Sequence, residues 1–343
     1  LKQRLSLVVL LSVLSASLSP SISPGAEFKA IQAVCPVSGH DFFGLNILAV
    51  NTLKHRDGDF LLRAEGGNQY ATWIWSCPYC FFSARPEVFS GDVAVDFDPS
   101  SIEKARLSDA TREGERVQLR IPSDIKFRNA ASYYYAIGKP PYFLGVLYLH
   151  GSWAVRMEKV SIPPGYIGAW WKSYMKASGE DDRASEEQLL LAVSEDLEAN
   201  LKAQEGTEEE LKLSFLLAST LRQAGEHHKA TPILREVLES SDSRDLSDSA
   251  TRELELAAAE AAFQTEALRY FKEALQFEET LPEDRLQSIY LVGELSRRLG
   301  DYESAEIWFA KAEENPMPQR WARTILQRQM KLLEKDAASL RPR

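Results

Sequence analysis

The stretch LQSIYLVGELSRRLGDYESAEIWFAKAEENP, residues 286–316, decides how the C-terminal half is read. Its apolar residues follow a helical period on both sides of Gly300-Asp301-Tyr302, which predicts two helices joined by a tight turn. Gly293 on the first helix and Ala305 on the second are small enough to let the pair approach closely. Tyr302 and Phe309 are large enough to fill the space towards a neighbouring pair. Pro316 cannot continue a helix and closes the unit.

This arrangement resembles the tetratricopeptide repeat, a small residue at the helix crossing followed by a Gly-x-Tyr turn and then Ala, Phe and Ala. An earlier copy starts near Leu211, with Leu217-Ala218 at the crossing, Gly225 at the turn, and Ala230, Leu234 and Val237 on the second helix; His227 stands in place of the turn Tyr. A weaker copy starts near Asp248, with Ala267, Phe271 and Ala274 in register and no turn Gly. Starts near 211, 248 and 286 are spaced close to the repeat's usual ~34 residues. A generic antiparallel helical bundle is the alternative. Glu186 to Ala203 adds an incomplete hairpin in front and Arg320 to Lys335 a capping helix behind, so the array is expected over 186–337. Arrays of this kind present a concave groove to a peptide or helix. Arg222, Arg297 and Arg298 fall on the inner face of the first helices, where they are expected to contact carboxylates of a partner protein.

The 343 residues suggest two domains, and 44% hydrophobic residues suffice for a real core. The net charge of -10 argues against a nucleic-acid binder, which needs a basic face to release counterions. Residues 1–26 read as an export signal: Lys2 and Arg4, then the apolar run Leu5 to Leu14, then small residues at Ser15-Ala16-Ser17 and Gly25-Ala26. No later stretch is apolar enough to span a membrane. The mature protein is therefore expected in the periplasm or outside the cell.

Residues 27–100 favour strands and turns. Leu45 to Leu53 is aliphatic, Arg56-Asp57-Gly58-Asp59 is a turn between extended runs, and Tyr70 to Trp75 alternates as a half-buried strand with Trp73 and Trp75 on one side. Residues 101–180 turn helical. A helix runs from Ser123 to Ala136, stopped by Gly138 and Pro140-Pro141, and a nearly all-round apolar helix from Tyr142 to Met157 belongs in a core. Pro163-Pro164-Gly165 marks a loop. Gly179 to Arg183 is the expected domain boundary.

The three cysteines lie in Cys35-Pro36-Val37-Ser38-Gly39-His40 and Cys77-Pro78-Tyr79-Cys80. Paired Cys-Pro-x-Cys knuckles on tight turns are how a zinc ribbon brings four thiolates to one ion. Here the first knuckle has Ser38 where a thiolate is expected, and a neutral hydroxyl is a poor zinc ligand. His40 is a candidate fourth ligand beside Cys35, Cys77 and Cys80; a water is another. In an oxidising compartment Cys35 can instead pair with Cys77 or Cys80, leaving one thiol over. Cys77-Pro78-Tyr79-Cys80 is also the glutaredoxin tetrapeptide. That chemistry needs a helix starting at the first Cys, and Pro86 halts the run that follows.

The chain resembles a bacterial family of uncharacterised proteins, domain of unknown function 2225. The resemblance rests on Cys-Pro-Val-x-Gly-x-x-Phe from Cys35 to Phe42, Arg56-Asp57-Gly58-Asp59-Phe60, Tyr70 leading to Cys77-Pro78-Tyr79-Cys80 with Ala84, Leu147-Tyr148-Leu149, and Trp153-Ala154-Val155-Arg156. It implies a ribbon-like start followed by helical, tetratricopeptide-like segments, and no established activity. Ser38 and Phe81 depart from the family pattern, which has Cys and Gly there.

Other candidate chemistry has simpler readings. His150 on its apolar helix reads as a core residue, and His227-His228 as a surface turn. Asp57 and Asp59 read as hairpin residues, since the calcium-loop spacing is missing. Trp170-Trp171 with Tyr166 and Tyr174 reads as inter-domain packing before a carbohydrate platform. No phosphate loop, nucleophile elbow or His-Glu-x-x-His occurs, so no enzyme is expected. The fold class is α+β, mainly α, with a ribbon-like β segment, helices and an α-solenoid. The expected function is an exported interaction or scaffold protein, with a zinc-binding or thiol-responsive module as the alternative.

Overall fold

The structure, a computed structural model, describes residues 26–339 apart from 51, 65–67, 92–94, 96, 99, 101, 159, 161–166, 181–183 and 205–207. The expected export signal and the Pro163-Pro164-Gly165 loop therefore lie outside the described residues, Ala26 excepted.

The fold is mainly helical with a small antiparallel N-terminal β part, as its sequence pattern implies. Among the described residues the β part consists of three two-stranded ribbons, each closed by a short turn. β1 (Ala26–Val34) pairs with β2 (Asp41–Val50), β3 (Thr52–Arg56) with β4 (Leu62–Ala64), and β5 (Trp75–Ser76) with β6 (Ser83–Ala84). The first and third ribbons end in the two cysteine knuckles: Val34 faces Asp41 across one and Ser76 faces Ser83 across the other. The middle ribbon ends in Asp57-Gly58-Asp59. Three chemically distinctive turns thus occupy three ribbon tips.

The strand expected over Tyr70 to Trp75 is shorter than its alternation suggests. The Asn68 side chain accepts from the Ala71 N–H and starts a 3-10 turn at Gln69–Thr72, so pairing begins only at Trp75. The two tryptophans consequently part. Trp73 is 41% exposed, whereas Trp75 is 4% exposed, its Nε1 donating to the Leu45 carbonyl at 3.1 Å.

Eleven helices follow among the described residues: α1 (Asp109–Arg112), α2 (Ser123–Ala136), α3 (Pro141–Arg156), α4 (Ile167–Glu180), α5 (Glu186–Lys202), α6 (Glu208–Ala224), α7 (His227–Ser240), α8 (Arg244–Ala274), α9 (Pro282–Arg298), α10 (Tyr302–Glu314) and α11 (Arg320–Ser339). Helix α2 has the expected span, although Ser123 makes no side-chain cap and Pro122 occupies the cap position. Helices α6–α7 and α9–α10 form the two hairpins read from Gly225 and Gly300. At the second crossing a Cβ on Gly293 would lie 2.7 Å from the Phe309 ring, and Ala305 and Phe309 are buried.

The weaker copy near Asp248 is not a hairpin. Residues 244–274 form one continuous helix of 31 residues. The reason is local: the run Leu256-Ala257-Ala258-Ala259-Glu260-Ala261-Ala262 combines strong helix formers, and no Gly or Pro interrupts it.

Helix α8 also joins two cores. Its first turns, through Leu246 and Ala250, pack with α4–α7. Its later residues Phe263, Ala267, Tyr270 and Phe271 share a second core with the ribbons, α2, α3 and α9–α11. Ala177 and Val193, which flank the expected boundary at 179–183 in the sequence, both belong to the first of these cores. The apolar helix α3 lies along α8. Among the described residues no helix is long and apolar enough to cross a membrane.

Candidate functional site

The two cysteine knuckles have the same backbone design. Cys35 N–H donates to the His40 carbonyl at 2.9 Å and Gly39 N–H to the Cys35 carbonyl at 2.8 Å. In the second, Cys77 N–H donates to Phe82 at 2.9 Å and Phe81 N–H to Cys77 at 2.8 Å. Both reach a left-handed residue at the same place, Gly39 at φ 72° and Phe81 at φ 64°. For Phe81 that conformation costs about 1–2 kcal/mol, offset by burial of its ring at 2% exposure.

The turns bring the three sulfurs within 4.8 Å of one another. Cys35 Sγ lies 3.5 Å from Cys80 Sγ, and Ser38 Oγ lies 3.5 Å from Cys77 Sγ. A tetrahedral zinc with Zn–S bonds of ~2.3 Å sets its ligands ~3.8 Å apart, so this spacing suits one ion. Cys35 and Cys77 are buried and Cys80 is half-buried. Hydrogen bonds from Cys77, Cys80 and Ser38 push the Cys35 thiol far below its ordinary pKa, while the Cys77 and Cys80 thiols are pushed up by their bonds with Cys35. One thiolate is thus already favoured among the three.

His40 does not join them. Its carbonyl closes the first knuckle, so its side chain leaves on the outgoing strand and stacks on Tyr79, ring centroids 4.4 Å apart. The side chain beside the sulfurs is Ser38, its Oγ 3.5 Å from Cys77 Sγ. Cys77 also sits between short strands with no helix starting at it, which removes the helix N-terminus that a glutaredoxin-type thiol requires.

The second cluster is built from Arg222, Arg297 and Arg298, the residues expected in a partner groove. Each is 0% exposed and is paired with a carboxylate of this chain. The Asp57-Gly58-Asp59 tip enters the space between α3, α5 and α9. Asp59 accepts from Arg156 at 2.7 Å and Trp153 at 3.0 Å, with Arg298 at 3.7 Å. Gly58 N–H donates to Glu187 at 2.8 Å, and its carbonyl accepts from Tyr290 at 2.5 Å. Asp57 accepts from Arg63 at 2.8 Å. Arg298 binds Glu187 and, at 2.6 Å, Glu294; Arg297 binds Glu226 at 2.8 Å; Arg156 binds Glu260 at 2.7 Å; Arg222 binds Glu253.

Desolvation drives these pairings. A guanidinium taken out of water must find charged partners, and the ribbon tip together with inward-facing glutamates supplies them. Burial pushes Asp57 up to about 6 although Arg63 opposes it. Burial acts on Asp59 too, but Arg156 and Arg298 hold it well below the usual carboxylate range, and Arg297 and Lys229 do the same for Glu226. Sequence reading assigns Asp57 and Asp59 to a hairpin turn and passes over the glutamates, although Glu253 and Glu260 carry a signal. They fall on the same helical stripe as Ala250, Leu256, Ala257 and Phe263, so the apolar face of α8 has acids within it.

His227 and His228 are not a surface turn. His227 is 3% exposed and pairs with Gln264 at 2.9 Å, and His228 meets the Tyr302 hydroxyl at 2.8 Å, because the first turn of α7 packs between α8 and α10. Trp170 stacks on Tyr174 at 5.0 Å and donates to Thr220 at 3.0 Å. Lys126 is fully buried, donating to the Gln118 and Ala71 carbonyls, and burial lowers its pKa to about 7. It pins α2 to the 3-10 turns at Gln69–Thr72 and Val117–Leu119.

His150 packs among Trp73, Tyr70 and Trp153. Burial first, then Arg85, lowers its pKa to about 3, and burial lowers His228 to about 4 against the pull of Glu226. Below pH ~6.5 the unfolded chain binds protons that these folded imidazoles refuse. Their contribution is therefore complete above that pH and is lost as pH falls towards 3–4, at up to about 1.4 kcal/mol per pH unit for each group. Asp57 works in the opposite sense between about 6 and its ordinary 3.8, and offsets part of the loss. Urea unfolding from pH 7 to pH 4 should show a falling midpoint, flatter in His150→Leu; an unchanged slope in that variant would refute the assignment.

Residues 250–334 match the model of a family described as an uncharacterized protein conserved in bacteria, domain of unknown function 2225. The matched segment covers most of α8 through most of α11, and includes Glu253, Glu260, Glu294, Arg297 and Arg298. Among curated proteins and solved structures none matches the chain.

Proposed function

We propose that this chain is a metal-binding protein whose site is the thiol trio Cys35, Cys77 and Cys80, and that zinc is its ion. The observation carrying the proposal is the convergence of three sulfurs, from two ribbon tips of matching backbone design, to within 4.8 Å. Thiolates at this spacing select a soft or borderline cation over magnesium or calcium, which require oxygen ligands. The ion would tie the first ribbon to the third, and through the shared core to the helices. The tetratricopeptide-like hairpins then serve as the frame on which the ribbons are mounted. A partner bound through Arg222, Arg297 and Arg298 is not part of this reading, because those side chains are already paired. Export, supported by the composition of residues 1–26, belongs to the proposal as well. In such a compartment a bound ion protects thiols that would otherwise oxidise.

The reduced full chain should bind one equivalent of zinc and lose it in Cys77→Ser. Bound zinc should stabilise the fold by about 2.7 kcal/mol when free zinc exceeds its dissociation constant a hundredfold. Affinity should weaken in acid, because binding displaces thiol protons. Metal analysis with thiol counting decides the matter. Three free thiols with no bound zinc, or equal zinc content in Cys77→Ser, would overturn the proposal; a Cys35–Cys80 disulfide in freshly isolated protein would point to oxidation as the native state.

A further inference from the structure

We infer that the metal site has an open fourth position, and that this position takes the thiolate of a small-molecule thiol. The inference rests on the metal-binding reading above and adds the ligand that completes it.

The geometry singles out one corner. Cys35 and Cys77 are closed off at 1% and 0% exposure, so access is from the side of Cys80 and Ser38, both half-buried. Ser38 reaches the corner with its Oγ, 3.5 Å from Cys77 Sγ, and its N–H donates to Cys35 Sγ at 3.5 Å. A serine hydroxyl keeps its proton at neutral pH and competes poorly with a thiolate for zinc. His40, the other residue within reach along the chain, is occupied by its stack on Tyr79. The corner is therefore marked out but not filled by a strong ligand.

The rim favours an anion. The Arg112 guanidinium lies over the ring of Tyr79, the residue before Cys80 in the chain, 5.9 Å from its centroid. Among the described residues its Nε is buried without a hydrogen-bond partner, and the carboxylate it pairs with, Asp109, is 4.0 Å away and largely exposed. A cation held at the edge of the second knuckle offsets the extra negative charge of a fourth thiolate. A soft anionic donor suits both the ion and this rim. In the binding step the incoming thiol gives its proton to solvent, its sulfur bonds to the metal, and a water or the Ser38 hydroxyl leaves. No electron is transferred.

Cobalt(II) makes the coordination visible. The full-length protein loaded with Co2+ would be titrated with 2-mercaptoethanol while visible and near-ultraviolet absorption are recorded. In wild type and in Ser38→Ala, added thiol should intensify the sulfur-to-cobalt charge-transfer band and shift the ligand-field bands. Ser38→Cys should show the four-thiolate spectrum from the outset, remain unmoved by thiol, and bind the ion more tightly than wild type. A wild-type spectrum that keeps three-thiolate intensity at saturating thiol would overturn this inference and leave the metal reading intact, as would loss of the ion to the thiol in solution. Failure of the protein to take up Co2+ would instead sink the metal reading itself.

Discussion

Arg298→Ala is expected to destabilise the fold by about 3–5 kcal/mol, the usual cost of stripping one partner from a buried ion pair. Arg298 is fully buried and holds Glu187 and Glu294, with Asp59 3.7 Å away, while its Nη1 donates to the Ala224 carbonyl at 3.1 Å. Truncation leaves carboxylates from three separate elements without that cation in a desolvated space. It also frees the Asp57-Gly58-Asp59 tip on one side, because Glu187 is the acceptor for the Gly58 N–H. The effect should be partly rescued in Arg298→Met with Glu187→Gln, which removes an opposing charge along with the cation. Urea unfolding midpoints of the four members of that cycle give the coupling. A loss below about 1 kcal/mol, the range of an exposed pair, would show that water reaches the cluster.

Gly225→Ala should cost nearly as much, through the same cluster. Gly225 has φ 87°, which charges an L side chain about 1–2 kcal/mol. A Cβ there would also fall inside the Arg298 guanidinium and 3.0 Å from Arg156 Cζ. Neither guanidinium can step aside without losing its carboxylates, so about 1–3 kcal/mol of overpacking adds to the backbone strain. Gly300 supplies the control. It has φ 84° at the corresponding turn of the other hairpin, and a Cβ there would lie 3.7 Å from the His228 ring, an ordinary contact. Gly300→Ala should therefore show the strain alone. Equal losses in the two variants would mean that the arginines are not held rigidly.

These expectations depend on a part of the molecule that was only half legible beforehand. The hairpin turns were readable, because Gly225 and Gly300 are local signals for a left-handed residue between helices. The knuckles were readable too, since Cys-Pro-x-Cys and Cys-Pro-x-Ser-Gly specify tight turns that aim sulfur inward. The continuity of α8 was readable in principle from its alanine run, but the register of Ala267, Phe271 and Ala274 outweighed it. That register reports which face is buried and is silent on whether a turn interrupts the helix.

What the amino-acid order determined by itself is therefore local: helix periods, turn positions, the shape of the two knuckles, and the serine where a thiolate would close the site. What tertiary structure decided is who pairs with whom. Arg156 meets Asp59 across 97 positions and Glu187 meets Gly58 across 129. Arginines that look free on a helical wheel become structural once the ribbon tip reaches them. Periodicity constrains which way a side chain faces, whereas the partner of a charge depends on what fills the space beyond, and burial then makes that pairing obligatory.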